Sequence, residues 1–99
     1  MDWERQEPEL KTGDYWFNGR CVATNGVMSS VPLNEVKAIA EDVNKRALES
    51  RGIDYLQVYK HKETGKVIWV IDQVTKTALE KGEHPKEHNH FTILFPSEY

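Results

Sequence analysis

Val67-Ile68-Trp69-Val70-Ile71 is the longest unbroken apolar run in the chain, and it limits the fold more than any other segment. A strand built from it has no polar face, so both of its sides must be covered. The run predicts a strand over Lys66 to Asp72 in the middle of a sheet, with a helix across one side. It is far shorter than the roughly 20 apolar residues of a membrane span. A hairpin partner lies just upstream, where Ile53 to Lys60 supplies Tyr55, Leu56, Val58 and Tyr59, and HKETG joins the two strands.

The covering helix is as legible. Val36, Ile39, Ala40, Val43 and Ala47 recur at three- and four-residue spacing, with Glu35, Asp42, Lys45 and Glu49 on the other face. Pro32 suits the start and Gly52 the left-handed stop, which places a helix near residues 33–51.

Turn chemistry sets the remaining elements. Asp14 to Thr24 reads DYWF-NG-RCVAT, and Asn18-Gly19 suits a tight turn, so a first hairpin is expected there. Asn25-Gly26 repeats the signal and ends its second strand, leaving Val27 to Ser30 as a short strand or a loop. Asp72 to Lys81 suits a short helix with Val74, Ala78 and Leu79 inward and Gly82 as its stop. The last strand is His90 to Phe95, ended by Pro96. Residues 1–13 are mostly charged, contain Pro8, and read as a flexible acidic arm before a single domain at 14–99, with Trp3 either packing back on that domain or standing exposed as a contact residue.

The class is α+β: a mostly antiparallel sheet of four or five strands with one long helix packed on one face, in the order β-β-α-β-β-(α)-β. Without the first strand, and with the short helix formed, this is the βαββαβ order of ferredoxin-like folds. With a loop in place of the short helix it is a meander with one helix across it. An uncovered sheet edge would permit a dimer, although nothing in the sequence requires one.

Several functions are disfavoured by composition. Thirteen Lys and Arg against sixteen Asp and Glu give a net charge of −3, with no basic stripe for nucleic acid and too little acidity to imitate it. Cys21 is alone, so neither an intrachain disulfide nor a CxxC motif exists, and its apolar strand context suggests a buried structural thiol. The acidic first ten residues lack the apolar core of a secretory signal, and a cytoplasmic location with no membrane partner is expected. The glycines form neither a P-loop nor a dinucleotide fingerprint, and no G-x-S-x-G elbow is present.

GEHPKEHNHFTI at 82–93 holds three of the four histidines. On an extended strand His88 and His90 would point the same way and could share an ion. His84, with Glu83 or Glu87, would then complete a tetrahedral set for zinc, the one cofactor the sequence suggests. The plainer reading is a polar loop leading into a core strand. His90-Phe91-Thr92-Ile93 resembles the His-x-Thr-x half-motif of the 2H phosphoesterases, but the second half is missing, because Lys-Glu-Thr follows His61. The contiguous His88-Asn89-His90 is unrelated to the nuclease family those letters name, whose three residues are dispersed over a metal finger. If Tyr55 and Tyr59 shared a face they could stack on bases, with lysines alongside, yet the 66–72 strand lacks the signature of RNA-recognition sheets. A protein contact or core packing suits these tyrosines better.

Three blocks, GRCVATNG at 19–26, VNKRALESRGIDYLQVYKHKETGKVIWVI at 43–71 and TILFPSEY at 92–99, together resemble a family of short bacterial proteins found with plasmids and phages, some of them labelled restriction-modification subunits. The blocks cover about half the chain, and the resemblance implies a mobile-element setting. Relative to shorter members, Gln73 to Asn89 is an insertion, so the histidine cluster lies outside the shared part. A methyltransferase role does not fit so short a chain, which lacks both a Gly-rich cofactor loop and an Asn-Pro-Pro-Tyr-type motif. Glu98 and Tyr99 either clasp the sheet edge or face a partner.

Three functions follow as expectations. The first is a non-catalytic accessory protein that binds a macromolecular partner, most simply a protein, through Tyr55, Tyr59, Trp69, Glu98 and Tyr99. The second is a small metal-binding protein or metal-dependent hydrolase using His84, His88 and His90. The third is a single-strand nucleic-acid binder.

Overall fold

The computed structural model describes residues 1–99. Five strands, β1 (Trp3–Arg5), β2 (Arg20–Ala23), β3 (Leu56–His61), β4 (Val67–Asp72) and β5 (His90–Leu94), form one sheet in the order β1-β3-β4-β5-β2. The helices are α1 (Asn25–Ser30), α2 (Leu33–Ser50) and α3 (Lys76–Glu80), with short 3-10 turns at Lys86–His88 and Pro96–Glu98. Neighbouring strands are antiparallel except β2 and β5, which run parallel. The apolar run forms β4, the middle strand; Ile68 and Val70 are fully buried, whereas on the opposite face Ile71 is buried and Val67 and Trp69 only partly so. No helix is long and apolar enough to cross a membrane.

The stripe of α2 buries Val36, Ile39, Val43 and Ala47. These residues share one core cluster with Tyr59 of β3, Ile68 and Val70 of β4, and Phe91 and Ile93 of β5. Ile71 and Leu94, which alternate with that set, are buried outside the cluster and belong to the opposite face of the sheet. The helix ends one residue before the expected stop. Arg51, at φ 55°, takes the left-handed conformation; its N–H donates to Leu48 O, and the Gly52 N–H donates to Ala47 O at 2.8 Å. Gly52 serves another need: a Cβ there would collide with the Gly13 carbonyl.

Four expectations are corrected. The segment 1–13 is not simply an arm, since Trp3–Arg5 pairs with β3 and forms an edge of the sheet. Trp3 is buried and its Nε1–H donates to Glu35 Oε1 at 2.9 Å. The Asn18-Gly19 hairpin does not form. Phe17, at φ 49°, turns the chain; its N–H donates to Asp72 Oδ2 at 2.9 Å, and Asn44 Nδ2–H donates to its carbonyl at 3.0 Å. Tyr15 makes only an isolated bridge with Ile53, and Arg20–Ala23 pairs with β5 instead of folding back. Asn25-Gly26 opens α1 rather than a turn, because the Thr24 hydroxyl caps the helix by accepting the Val27 N–H at 3.3 Å. Lastly, the chain follows the βαββαβ order once β1 is set aside, but the sheet is not ferredoxin-like, because β5 stands between β4 and β2. A ferredoxin-like sheet needs a second crossover, but α3 is five residues long and β5 pairs directly with β4, so β3, β4 and β5 form a meander.

Candidate interaction surface

The two edges of the sheet differ in character. Around β1 stand Asp2, Glu4, Arg5, Gln6 and Glu7, a charged border of the kind that discourages strand addition. The β2 edge reads Arg-Cys-Val-Ala, with no proline and no acidic residue. The N–H groups of Arg20 and Thr24 donate to Asn89 O and Ile93 O, both at 3.1 Å. Backbone direction alternates along a strand, so the N–H and C=O groups of Cys21 and Ala23 point away from β5 to the open side.

The side chains of Cys21 and Ala23 line a groove of about 550 Å³ whose walls include Met28, Leu33, Val36 and Ala40, with Lys37 and Glu41 on its lip. Met28 and Leu33 are 47% and 53% exposed. The groove follows from the local path of the chain. Val27 and Val31 are buried and pin α1 and the start of α2 to the sheet, which leaves Met28 and Leu33 at the border. Cys21 itself corrects an expectation, being exposed rather than buried, and partial desolvation pushes its thiol pKa up, away from a reactive thiolate.

The corner between β2 and α1 is held by the end of the chain. Glu98 Oε1 accepts the Thr24 hydroxyl at 2.7 Å and the Phe95 N–H at 2.9 Å. Tyr99 is 78% exposed, and its ring meets Trp69 edge-on at 5.7 Å between centroids. The remaining sequence-predicted residues do not gather. Tyr59 is fully buried, donates to Asp42 Oδ2 at 2.7 Å, and has its hydroxyl pKa raised by burial and by that carboxylate. Burial would raise the Asp42 pKa, but hydrogen bonds from Arg46 and Tyr59 prevail and lower it. Tyr55 precedes β3 and stacks edge-on with Tyr15 at 6.2 Å, so Tyr55 and Tyr59 form no common platform.

The histidines are separated as well. His84 and His88 are exposed, and His88 closes a 3-10 turn whereas His90 begins β5, so the two do not share a strand face. The His90 Nδ1–H donates to the His88 carbonyl at 2.9 Å. The one group of His, Cys, Asp or Glu residues whose ligand atoms lie within 4.8 Å of one another is Asp2, Glu35 and His61, which no sequence spacing could have revealed. Its histidine is poorly suited to an ion. His61 Nδ1 accepts the N–H groups of Glu63 and Thr64, both at 3.2 Å, which places the proton of the neutral ring on Nε2 and leaves no free ring lone pair. A polar hollow of about 300 Å³ beside the C-terminal half of α2 mixes Arg5, Lys11 and Arg46 with Glu7 and Glu49, and favours neither sign of ligand.

Compared with family models, with curated proteins and with solved structures, the chain matches none.

Proposed function

We propose that this chain is a non-catalytic interaction module that takes up an extended protein segment as an added strand on β2. One observation carries the reading: Cys21 and Ala23 offer unpaired backbone groups along an edge free of acidic residues and proline, and their side chains line an apolar groove walled by Met28 and Leu33. Main-chain bonds to an added strand supply affinity, and alternate side chains entering the groove supply selectivity. The preferred segment carries small or branched apolar residues at every second position, because the groove walls are apolar and only Lys37 and Glu41 on its lip are charged. The blocks at 19–26 and 92–99 that resemble plasmid- and phage-associated proteins are the two that build this edge, so the same reading sets the module in a mobile-element context.

The test is selection from a library of extended peptides against the wild type and against Ala23→Pro. Proline removes the outward N–H of Ala23 and leaves the β5 ladder intact, since that N–H is not part of it. Enrichment of alternating apolar peptides that Ala23→Pro abolishes supports the module. Equal binding by Ala23→Pro, with its circular dichroism unchanged, sinks it.

A further inference from the structure

We infer that the strand the β2 edge takes up is β2 of a second copy of this chain, paired antiparallel about a twofold axis at Val22; this rests on the strand-addition reading above. The free backbone groups have the required symmetry. Those of Cys21 and Ala23 stand one residue to either side of Val22. With Val22 opposite Val22 of the second copy, Cys21 lies opposite Ala23, and each such pair exchanges both of its N–H···O bonds. Every outward N–H and C=O of the two residues is then satisfied, with no shift of register and no unpaired overhang within Cys21–Ala23.

Side chains fit the same axis. The axis stands normal to the sheet, so α1 and α2 of the two copies come to lie on the same side and meet across the groove. Met28 and Leu33, about half exposed in the single chain, gain apolar neighbours there. Lys37 and Glu41 lie one turn apart on the groove lip. In antiparallel helices related by that axis, Lys37 of each copy faces Glu41 of the other, so the lip is complementary to itself. The pairing is isologous and closed, and the charged border at β1 keeps it from extending into a fibre.

The register makes the test specific. Val22 and its counterpart form a non-hydrogen-bonded pair with Cα atoms about 4.5 Å apart, within the reach of a disulfide, whereas the two Cys21 residues lie on a diagonal of roughly 7–8 Å. Oxidised Cys21→Ser/Val22→Cys is expected to give a covalent dimer, and Cys21→Ser/Val22→Cys/Ala23→Pro a monomer. For the unmodified chain, sedimentation equilibrium is expected to show two-chain mass. Amide exchange at Cys21 and Ala23 should slow as protein concentration rises. A wild type that stays monomeric to millimolar concentration overturns the inference. So does a wild type that cross-links through Cys21 while the cysteine introduced at position 22 does not. If peptide selection still depends on Ala23 in that case, the strand-addition reading stands without the second copy; if it does not, both fall.

Discussion

Glu98 accepts a hydrogen bond from Thr24 at 2.7 Å across 74 residues of sequence, and so ties the end of the chain to the corner where β2 becomes α1. The same hydroxyl oxygen accepts the Val27 N–H at 3.3 Å, so one threonine caps a helix and anchors a carboxylate. Thr24→Ala removes both contacts. Loss of the cap alone costs about 1 kcal/mol, read as a lower midpoint in urea unfolding with an unchanged slope. The Phe95 N–H and the Thr24 hydroxyl, in that order, hold the Glu98 carboxyl below its ordinary value of 4.5. Since the folded value is the lower one, the stabilisation is complete above 4.5 and disappears as pH falls through the folded value. Carboxyl NMR of Glu98 should therefore give a midpoint that moves up toward 4.5 in Thr24→Ala.

Gly26 tests the same corner by steric means. A Cβ at this position would sit 2.5 Å from Glu98 Oε2, so Gly26→Ala pushes the carboxylate off Thr24. In an otherwise unaltered chain the substitution destabilises. In a Glu98→Ala background the obstruction is gone, and the helical preference of alanine over glycine, up to about 1 kcal/mol, turns the effect favourable. A double-mutant cycle by chemical denaturation reads the change of sign; the same sign in both backgrounds would refute the contact.

Long-range pairing decides what was legible in the sequence. The α2 stripe and the central place of β4 follow from spacing within each segment, and both were readable. At Asn18-Gly19 the local turn preference yields to a partner, β5, that lies about 70 residues downstream, and at Asn25-Gly26 it yields to the Thr24 cap of α1. The groove was hidden for a related reason. Nothing in the sequence marks Met28 and Leu33 as exposed neighbours of β2, and unpaired backbone groups leave no trace in side-chain identity. Glu98 was legible as one of two alternatives, a clasp or a partner contact. The histidine reading depended on His88 belonging to the strand, and β5 begins two residues later.

Asp72 was missed altogether, because a carboxylate at the end of an apolar strand reads as a boundary. It is only 1% exposed, and its oxygens accept the Phe17 N–H at 2.9 Å and the Val74 N–H at 3.4 Å. Burial raises its pKa above the ordinary 3.8, with those N–H groups opposing the shift. The folded state therefore holds this proton more tightly than the unfolded one. The contribution of Asp72 to stability falls as pH rises from 3.8 through the folded value. Unfolding free energies from pH 3 to 8 should drift in favour of Asp72→Asn relative to wild type, since the amide keeps an acceptor without the charge. Asp72→Ala orphans two amide donors and loses about 1–3 kcal/mol.

Arg51 occupies the left-handed position at the end of α2, at φ 55°, with an exposed side chain. A Cβ in that conformation costs roughly 1–2 kcal/mol, and glycine avoids it. Arg51→Gly is expected to raise the unfolding midpoint by part of that amount, because the more flexible unfolded chain offsets the rest. A lower midpoint would mean that the guanidinium contributes more than the relaxed backbone returns.

Lys37 and Glu41 separate a self-paired module from one that meets another protein. Across the proposed twofold axis each lysine faces a glutamate, so Lys37→Glu sets glutamate against glutamate twice. Exposed pairs of this kind are weak, and the dimer dissociation constant should rise on the order of five- to tenfold. Lys37→Glu/Glu41→Lys reverses both signs on both copies and restores the pairs, so sedimentation should return it close to the wild-type constant. High salt should shrink the differences among all three proteins, since the charges stand at the surface. A foreign partner cannot reverse its own charges to match. If the double variant binds as poorly as the single one, the charges on the groove lip face something other than a second copy of this chain.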